Sequence, residues 1–391
     1  MKKLSVKKLK SGMIAATNIV TKRGQIIAES GTILSNQLIA RLSFYRIEEV
    51  MVEDEILEEV SISSDSSNAS NKATDEKIAA PSPIKKKPHP EISKELEKQS
   101  YTSKITHHSN FQDFQLSYTR NLENLRGNIQ DIITGDLSQI SEEELLKETC
   151  KLFQSKTALD LFDMLRNMRA LDDSVYAHSL NVALISRAIG KWLKLSKEDL
   201  DLLTLAGLLH DIGKTQIPEE ILNKTSKLTD DEFNLIRQHT ILGFKLLKKI
   251  PNLDSRIQYT ALQHHERYDG SGYPRGLGSD EIEDFASIVA IADVFDAMTA
   301  ARTYRAAKCA FQVIEAFEKD GLQKYNPQYI LTFLEHIASF YQNSRVMLND
   351  GTSARIIYIN KNSLSHPVIQ LDSGEMCDLS HSNAYQITSI M

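Results

Sequence analysis

Between His178 and Asp293 the chain sets histidines and aspartates into otherwise apolar segments, in the order His178, His210-Asp211, His239, His264-His265 and Asp293. An ionised carboxylate in apolar surroundings must be paired or ligated, because otherwise it neutralises. A fold for this chain therefore has to gather these groups in one place. His210-Asp211 ends the apolar run Leu202–Leu209, and Gly213 supplies a natural exit from that helix. Asp293 lies on a second apolar segment, Phe285–Met298, with Asp296 three residues later. At that spacing one carboxylate can ligate a metal while the other orients a histidine; a solvent-facing pair is the weaker alternative.

Taken singly, each histidine has a bland reading. His239 shares a helical face with Leu235, Leu242 and Leu246, where a histidine is more often a satisfied core residue than a ligand. His178 is equally ambiguous alone. His264 and His265 would project about 100° apart on a helix and so approach a cluster from two directions. Together, five imidazoles and two carboxylates exceed one tetrahedral zinc site and suit two metals bridged by a carboxylate. Nitrogen and oxygen ligands without thiolate favour iron(II) or manganese(II) over structural zinc. Two such ions about 3.5 to 4 Å apart activate water and stabilise in-line displacement at phosphorus, so phosphoester hydrolysis is the expected chemistry.

Other groups extend the pattern. Lys214, near His210, places an ammonium where it could neutralise a phosphate or leaving group; its ordinary reading is a lysine favoured by a helix C-terminus. The loop Asp269–Pro274, with Gly276 beyond it, allows close backbone approach to a ligand, and Tyr273 can stack on a base, although turns use the same residues. Arg302 and Arg305 could grip phosphate or guanine, against the plainer reading of a solvated helix end.

The surroundings divide the 391 residues into units of different composition. Residues 1–54 read as a small α/β module: short apolar runs between turns at Gly12, Gly24 and Gly31, and one helix over Asn36–Tyr45 capped by Ser35. Residues 55–110 are rich in Ser, Asp, Asn, Lys and Pro and read as a disordered tether; His107-His108 at its end is left out of the site. Residues 111–149 form a helical lead-in and 150–342 the metal-binding core. Within the core Ser196 caps one helix, and Thr229 with Glu232 makes a capping box for another, over Phe233–Lys248. From 343 to 391 short β-like runs, Ala354–Ile359 and Val368–Leu371, alternate with turns at Asp350-Gly351 and Ser373-Gly374. The fold class is mainly α, with a small α/β module before the core and a small β module after it.

A net charge of −6 with mixed signs disfavours binding to a nucleic-acid polymer, despite the local cluster Lys85-Lys86-Lys87. The basic start Met1–Lys8 lacks the apolar run of a secretory signal. No stretch approaches the roughly 18 apolar residues of a membrane span. Three scattered cysteines, Cys150, Cys309 and Cys377, fit reduced thiols. Together these predict a soluble, cytoplasmic protein.

His210-Asp211-Ile212-Gly213-Lys214, His264-His265-Glu266-Arg267-Tyr268-Asp269-Gly270-Ser271-Gly272-Tyr273-Pro274 and Asp293-Val294-Phe295-Asp296-Ala297-Met298-Thr299 resemble the motifs of the HD-GYP family of bacterial cyclic dinucleotide phosphodiesterases. The resemblance spans roughly residues 150 to 342. It implies a helical HD-domain core that hydrolyses cyclic di-GMP to linear pGpG, with GMP as a further product. It also implies one metal on His178, His210, Asp211 and Asp293 and another on Asp211, His239, His264 and His265, with Asp211 as the bridge. Lys214 would assist at the phosphate, and Tyr273, Arg302 and Arg305 would hold the nucleotide. Some family members bind a third metal through a glutamate one turn before the first histidine; here that position is Ser174, and Asp173 is one position off the face. Two metals are therefore expected. The segments Leu9–Met13 and Gly31–Leu34 also resemble a small domain often attached to such proteins.

The rival reading is a catalytically weak sensor or scaffold, binding the nucleotide or a signalling protein through the Tyr273 loop. An HD phosphohydrolase acting on another nucleotide is a third. A homodimer is compatible with the sequence, although no clear heptad supports one.

Overall fold

The computed structural model describes residues 1–20, 26–35, 38–39, 42, 47, 49–53, 109–135, 142–153, 161–162, 164–165, 168, 175–224, 226–300, 307–382 and 384–391. The predicted tether lies outside the described residues up to position 108, with His107-His108. Its last two positions belong instead to a helix.

The N-terminal unit pairs β1 (Lys2–Ser5) antiparallel with β4 (Glu49–Val52). A second antiparallel pair is formed by β2 (Ile19–Val20) and β3 (Ile26–Ala28). Leu34, Leu42, Val50 and Val52 are buried in a core of its own. Leu38, Ile39 and Leu42 are helical, as the sequence predicts; the remainder of Asn36–Tyr45 lies outside the described residues.

α1 (Ser109–Thr134) carries Phe111, Phe114, Tyr118, Leu122, Leu125, Ile129 and Ile132, all buried. Their spacing of three and four residues is heptad-like, but the stripe is covered within this chain, in one hydrophobic cluster with the helices that follow. α2 (Glu142–Lys151) crosses the predicted boundary at 149/150. α3 (Val175–Trp192) is buried along most of its length and lies against α4 (Lys197–Leu209). Contact is close because Gly207 has no side chain: a Cβ there would lie 2.6 Å from the Ala183 Cα. Ser196 caps α4 by accepting from the Asp199 amide, as predicted.

After a 3-10 turn, Ile212–Gln216, come α5 (Glu219–Leu222), α6 (Asp230–Arg237) and α7 (His239–Leu247). The Thr229–Glu232 capping box forms. The single helix expected over Phe233–Lys248 does not. It breaks at Gln238, whose amide bonds the Leu235 carbonyl one residue short of the α-helical register. The apolar period survives one tightened residue, so the sequence pattern conceals the break.

α8 (Ser255–Gln263), α9 (Asp284–Thr299), α10 (Ala310–Ala316) and α11 (Pro327–Phe340) complete the helical part. β5 (Arg345–Leu348), β6 (Ser353–Asn360), β7 (Ser363–Leu371), β8 (Met376–Asp378) and β9 (Ile387–Ile390) form one antiparallel sheet in the order β8-β7-β6-β5-β9. Its buried Val346, Leu348, Ile356 and Ile369 belong to the same cluster as the helices. Glu318, in a π-helical turn after α10, accepts from the Leu364 amide at 2.7 Å and from the Ser365 hydroxyl and amide. Burial raises the pKa of this carboxyl.

Candidate metal centre

Helix ends deliver most of the site. His210 terminates α4, His239 begins α7, and His264 follows the last residue of α8. His178 and Asp293 come from within α3 and α9. His210, Asp211, His239 and His264 are at most 2% exposed.

Backbone carbonyls set the tautomers. The Nδ1 of His210 lies 2.8 Å from the Gly207 carbonyl, that of His239 2.7 Å from Ile236, and that of His264 3.1 Å from Thr260 and Ala261. A carbonyl only accepts, so each Nδ1 carries a proton, which leaves Nε2 as the ring atom that faces inward. His178 Nδ1 is instead 2.8 Å from Asp296 Oδ2, and its Nε2 is 3.1 Å from Asp293 Oδ1. This is the division of labour expected for the two aspartates, one at the ligand face and one orienting the ring.

Donor atoms of Asp211, His239, His264 and His265 all lie within 4.8 Å of one another, as do those of His178, His210 and Asp211. Asp211 is common to both groups. His210 Nε2 and Asp211 Oδ1 are buried without a hydrogen-bond partner, and His239 Nε2 faces His264 Nε2 at 3.3 Å. Lone pairs pressed together and a buried carboxylate oxygen left bare are costly unless a cation lies among them. The donor set fits divalent metal ions held by nitrogen and oxygen.

Electrostatics agree. Burial lowers the His239 pKa to about 4 and also depresses His264 and His265, keeping these rings neutral ligands. For Asp211, burial opposes ionisation, but Lys214 and His210 outweigh it and hold the pKa well below the carboxylate range. Asp293 is depressed likewise, with His178 overcoming burial. Burial works against a charged His178, yet Asp293 and Asp296 raise its pKa to about 9. Asp296→Asn should therefore weaken metal binding by about 10- to 100-fold, since the ring loses the charge behind it. Chelator competition measures this, and unchanged affinity would remove Asp296 from the centre.

Several expectations change at this site. Gly213 is not a left-handed helix exit; it lies in the 3-10 turn, where a Cβ would be 1.9 Å from the His239 carbonyl oxygen. His264 and His265 do not flank the cluster from successive helical positions, because α8 ends at Gln263; their rings lie side by side with centroids 4.2 Å apart. Lys214 is near the centre as expected, its ammonium paired with Asp211. Tyr273 stacks on His265 with centroids 4.6 Å apart, and Arg237 lies over the Tyr273 ring at 4.5 Å. Burial raises the Tyr273 pKa, so the phenol keeps its proton. Arg302, Arg305, Asp173 and Ser174 lie outside the described residues.

Three supporting residues were not assigned roles from sequence. Buried Glu266 accepts from the Arg275 and Leu277 amides at 2.7 and 3.0 Å, tying down the loop that carries Tyr273. A carboxylate directly after two ligand histidines was the available signal. Arg237 is a basic residue in the last turn of α6, a position that carries no signal of its own. Glu283 caps α9, accepting from the Phe285 and Ala286 amides, and its own amide donates to Gln263. Burial raises its pKa to about 7. The fold thus prefers the protonated form: the contribution is complete below pH about 4.5 and lost as pH rises through 7. Relative to Glu283→Gln, the metal-free wild type should lose about 1–3 kcal/mol between pH 5 and 8. Chemical denaturation of both proteins at the two pH values checks this, and a constant difference rejects it.

Residues 141–329 match the HD domain family. This stretch is an HD domain. The chain is 34% identical over 205 residues to a cyclic di-GMP phosphodiesterase of Pseudomonas aeruginosa, covering 52% of this chain and 49% of the relative. It is 37% identical over 199 residues to a cyclic di-GMP phosphodiesterase of Thermotoga maritima, covering 49% and 53%. A 3'3'-cGAMP-specific phosphodiesterase of Vibrio cholerae is 37% identical over 170 residues, covering 43% and 39%. The matched stretch spans about half the length of the first two relatives. The HD domain thus supplies the helical frame that carries the candidate metal ligands, and among the described residues no helix is long and apolar enough to cross a membrane.

Proposed function

We propose that the protein is a metal-dependent phosphodiesterase that hydrolyses cyclic di-GMP, giving linear pGpG as its first product. The observation that carries this reading is the sharing of buried Asp211 by two ligand groups, with its Oδ1 and the His210 Nε2 left without partners. His178, His210, Asp211 and Asp293 would hold one ion, and Asp211, His239, His264 and His265 the other. Iron(II) and manganese(II) suit these donors. Two bound ions supply an activated water at neutral pH and charge stabilisation for in-line displacement at phosphorus. The chain's own part is positioning: the carbonyl-anchored imidazoles keep their lone pairs inward, and Asp296 fixes His178. The Lys214 side chain, 25% exposed beside an Asp211 that is 1% exposed, lies where the centre meets solvent and can turn to a phosphate. Relatives named as cyclic di-GMP phosphodiesterases favour this substrate over other nucleotides, and a pure receptor has no need of such a donor set.

The test is cyclic di-GMP turnover by protein purified without oxygen and supplied with iron(II) or manganese(II), with products separated by chromatography. Metal-dependent formation of pGpG is expected. Tight nucleotide binding to the metal-loaded protein without turnover would make it a receptor instead.

A further inference from the structure

The break between α6 and α7 places two different chemistries side by side. Arg237 is the last residue of α6 and His239 the first of α7, with only Gln238 between them. His239 turns into the buried donor cluster, while Arg237 stays partly exposed and lies over Tyr273. Tyr273 stacks on His265, so donor cluster, phenol and guanidinium form one continuous wall.

Neighbouring cations on this wall are already engaged. Lys214 is paired with Asp211. Arg267 donates to the carbonyls of His264 and Glu266 and lies against Tyr325. Arg237 has no hydrogen bond or ion pair from its guanidinium among the described residues, and its ring contact orients the group without satisfying its donors.

We propose that Arg237 is a substrate-binding residue that grips the second, non-reacting phosphate of the cyclic dinucleotide. The inference rests on the phosphodiesterase reading above. A cyclic dinucleotide carries two phosphates. When one is at the metal centre, the other needs a cation farther along the same wall, and a guanidinium held on an aromatic face is preorganised for it. Because this contact is remote from the reacting phosphorus, its loss acts on binding before chemistry.

The test compares Arg237→Gln and Arg237→Lys with wild type on cyclic di-GMP and on bis(4-nitrophenyl) phosphate, a diester with a single phosphate. In the glutamine variant, KM for cyclic di-GMP should rise at least tenfold, with kcat and the small-diester rate within about twofold of wild type. Lysine keeps the charge but loses the planar fork and the stacking, so it should recover only part of the loss. Equal losses on both diesters, with an unchanged melting temperature, would make Arg237 a prop for Tyr273 and overturn the proposal. So would an unchanged KM for cyclic di-GMP in the glutamine variant. A wild type inert on both diesters fails the parent reading, and this inference with it; a wild type active on both keeps the two failures distinct.

Discussion

Asp211→Ala should deplete both ligand groups of metal and lower cyclic di-GMP turnover by more than about 10³-fold, beyond the 10²- to 10³-fold typical of losing one stabilising donor. The expectation follows from shared ligation: one carboxylate serves both donor sets, so neither is complete without it. Folding should survive. The cation left behind is the Lys214 ammonium, whose side chain is 25% exposed and can turn to water. Metal content after dialysis, melting temperature and turnover decide the matter together. A variant that retains both ions and most of its activity would disprove the bridge.

Gly213→Ala should damage the centre from outside it. A Cβ at Gly213 would lie 1.9 Å from the His239 carbonyl oxygen, 2.5 Å from the Gly243 amide nitrogen and 2.8 Å from the His239 carbonyl carbon. All three are backbone atoms, so no side-chain rotation relieves the clash. The start of α7 must shift, carrying His239 away from Asp211, at a cost of at least about 1–3 kcal/mol. A lower melting temperature and weaker metal retention are expected. Gly127→Ala is the matched control: it lies in α1 with nothing within 4 Å of an added Cβ, and should be neutral or stabilising by about 0.5–1 kcal/mol. Similar behaviour of the two variants would remove Gly213 from the supporting structure.

The candidate ligands stand out in the sequence because charge and imidazole are conspicuous against Leu202–Leu209 and Phe285–Met298. A buried Asp needs a partner, and the pattern names the candidates. Caps at Ser196 and Thr229 were legible for the same local reason. What sequence concealed depends on contacts distant along the chain. The break at Gln238 leaves the apolar period in phase, Gly213 matters only because α7 packs against it, and the packing of His265 and Arg237 against the Tyr273 ring joins residues that their spacing does not link. The heptad-like stripe of α1 was present in the sequence from Phe111 to Ile132, but spacing alone does not reveal that its partner is the same chain.

The Glu318 carboxylate gives the outline of the HD domain a practical meaning. The matched stretch stops at residue 329, and helix gives way to strand between Phe340 and Arg345. Yet β7 caps a buried acid in the helical part, and Val346, Ile356 and Ile369 fill the same interior as Phe333 and Ile337. A shortened protein ending near residue 342 would carry an uncapped acid and a bare oily flank, an invitation to aggregate that has nothing to do with its chemistry. The sheet behaves as the protein's outer casing, and any expression plan, tag or chimera should respect it as one piece with the helices.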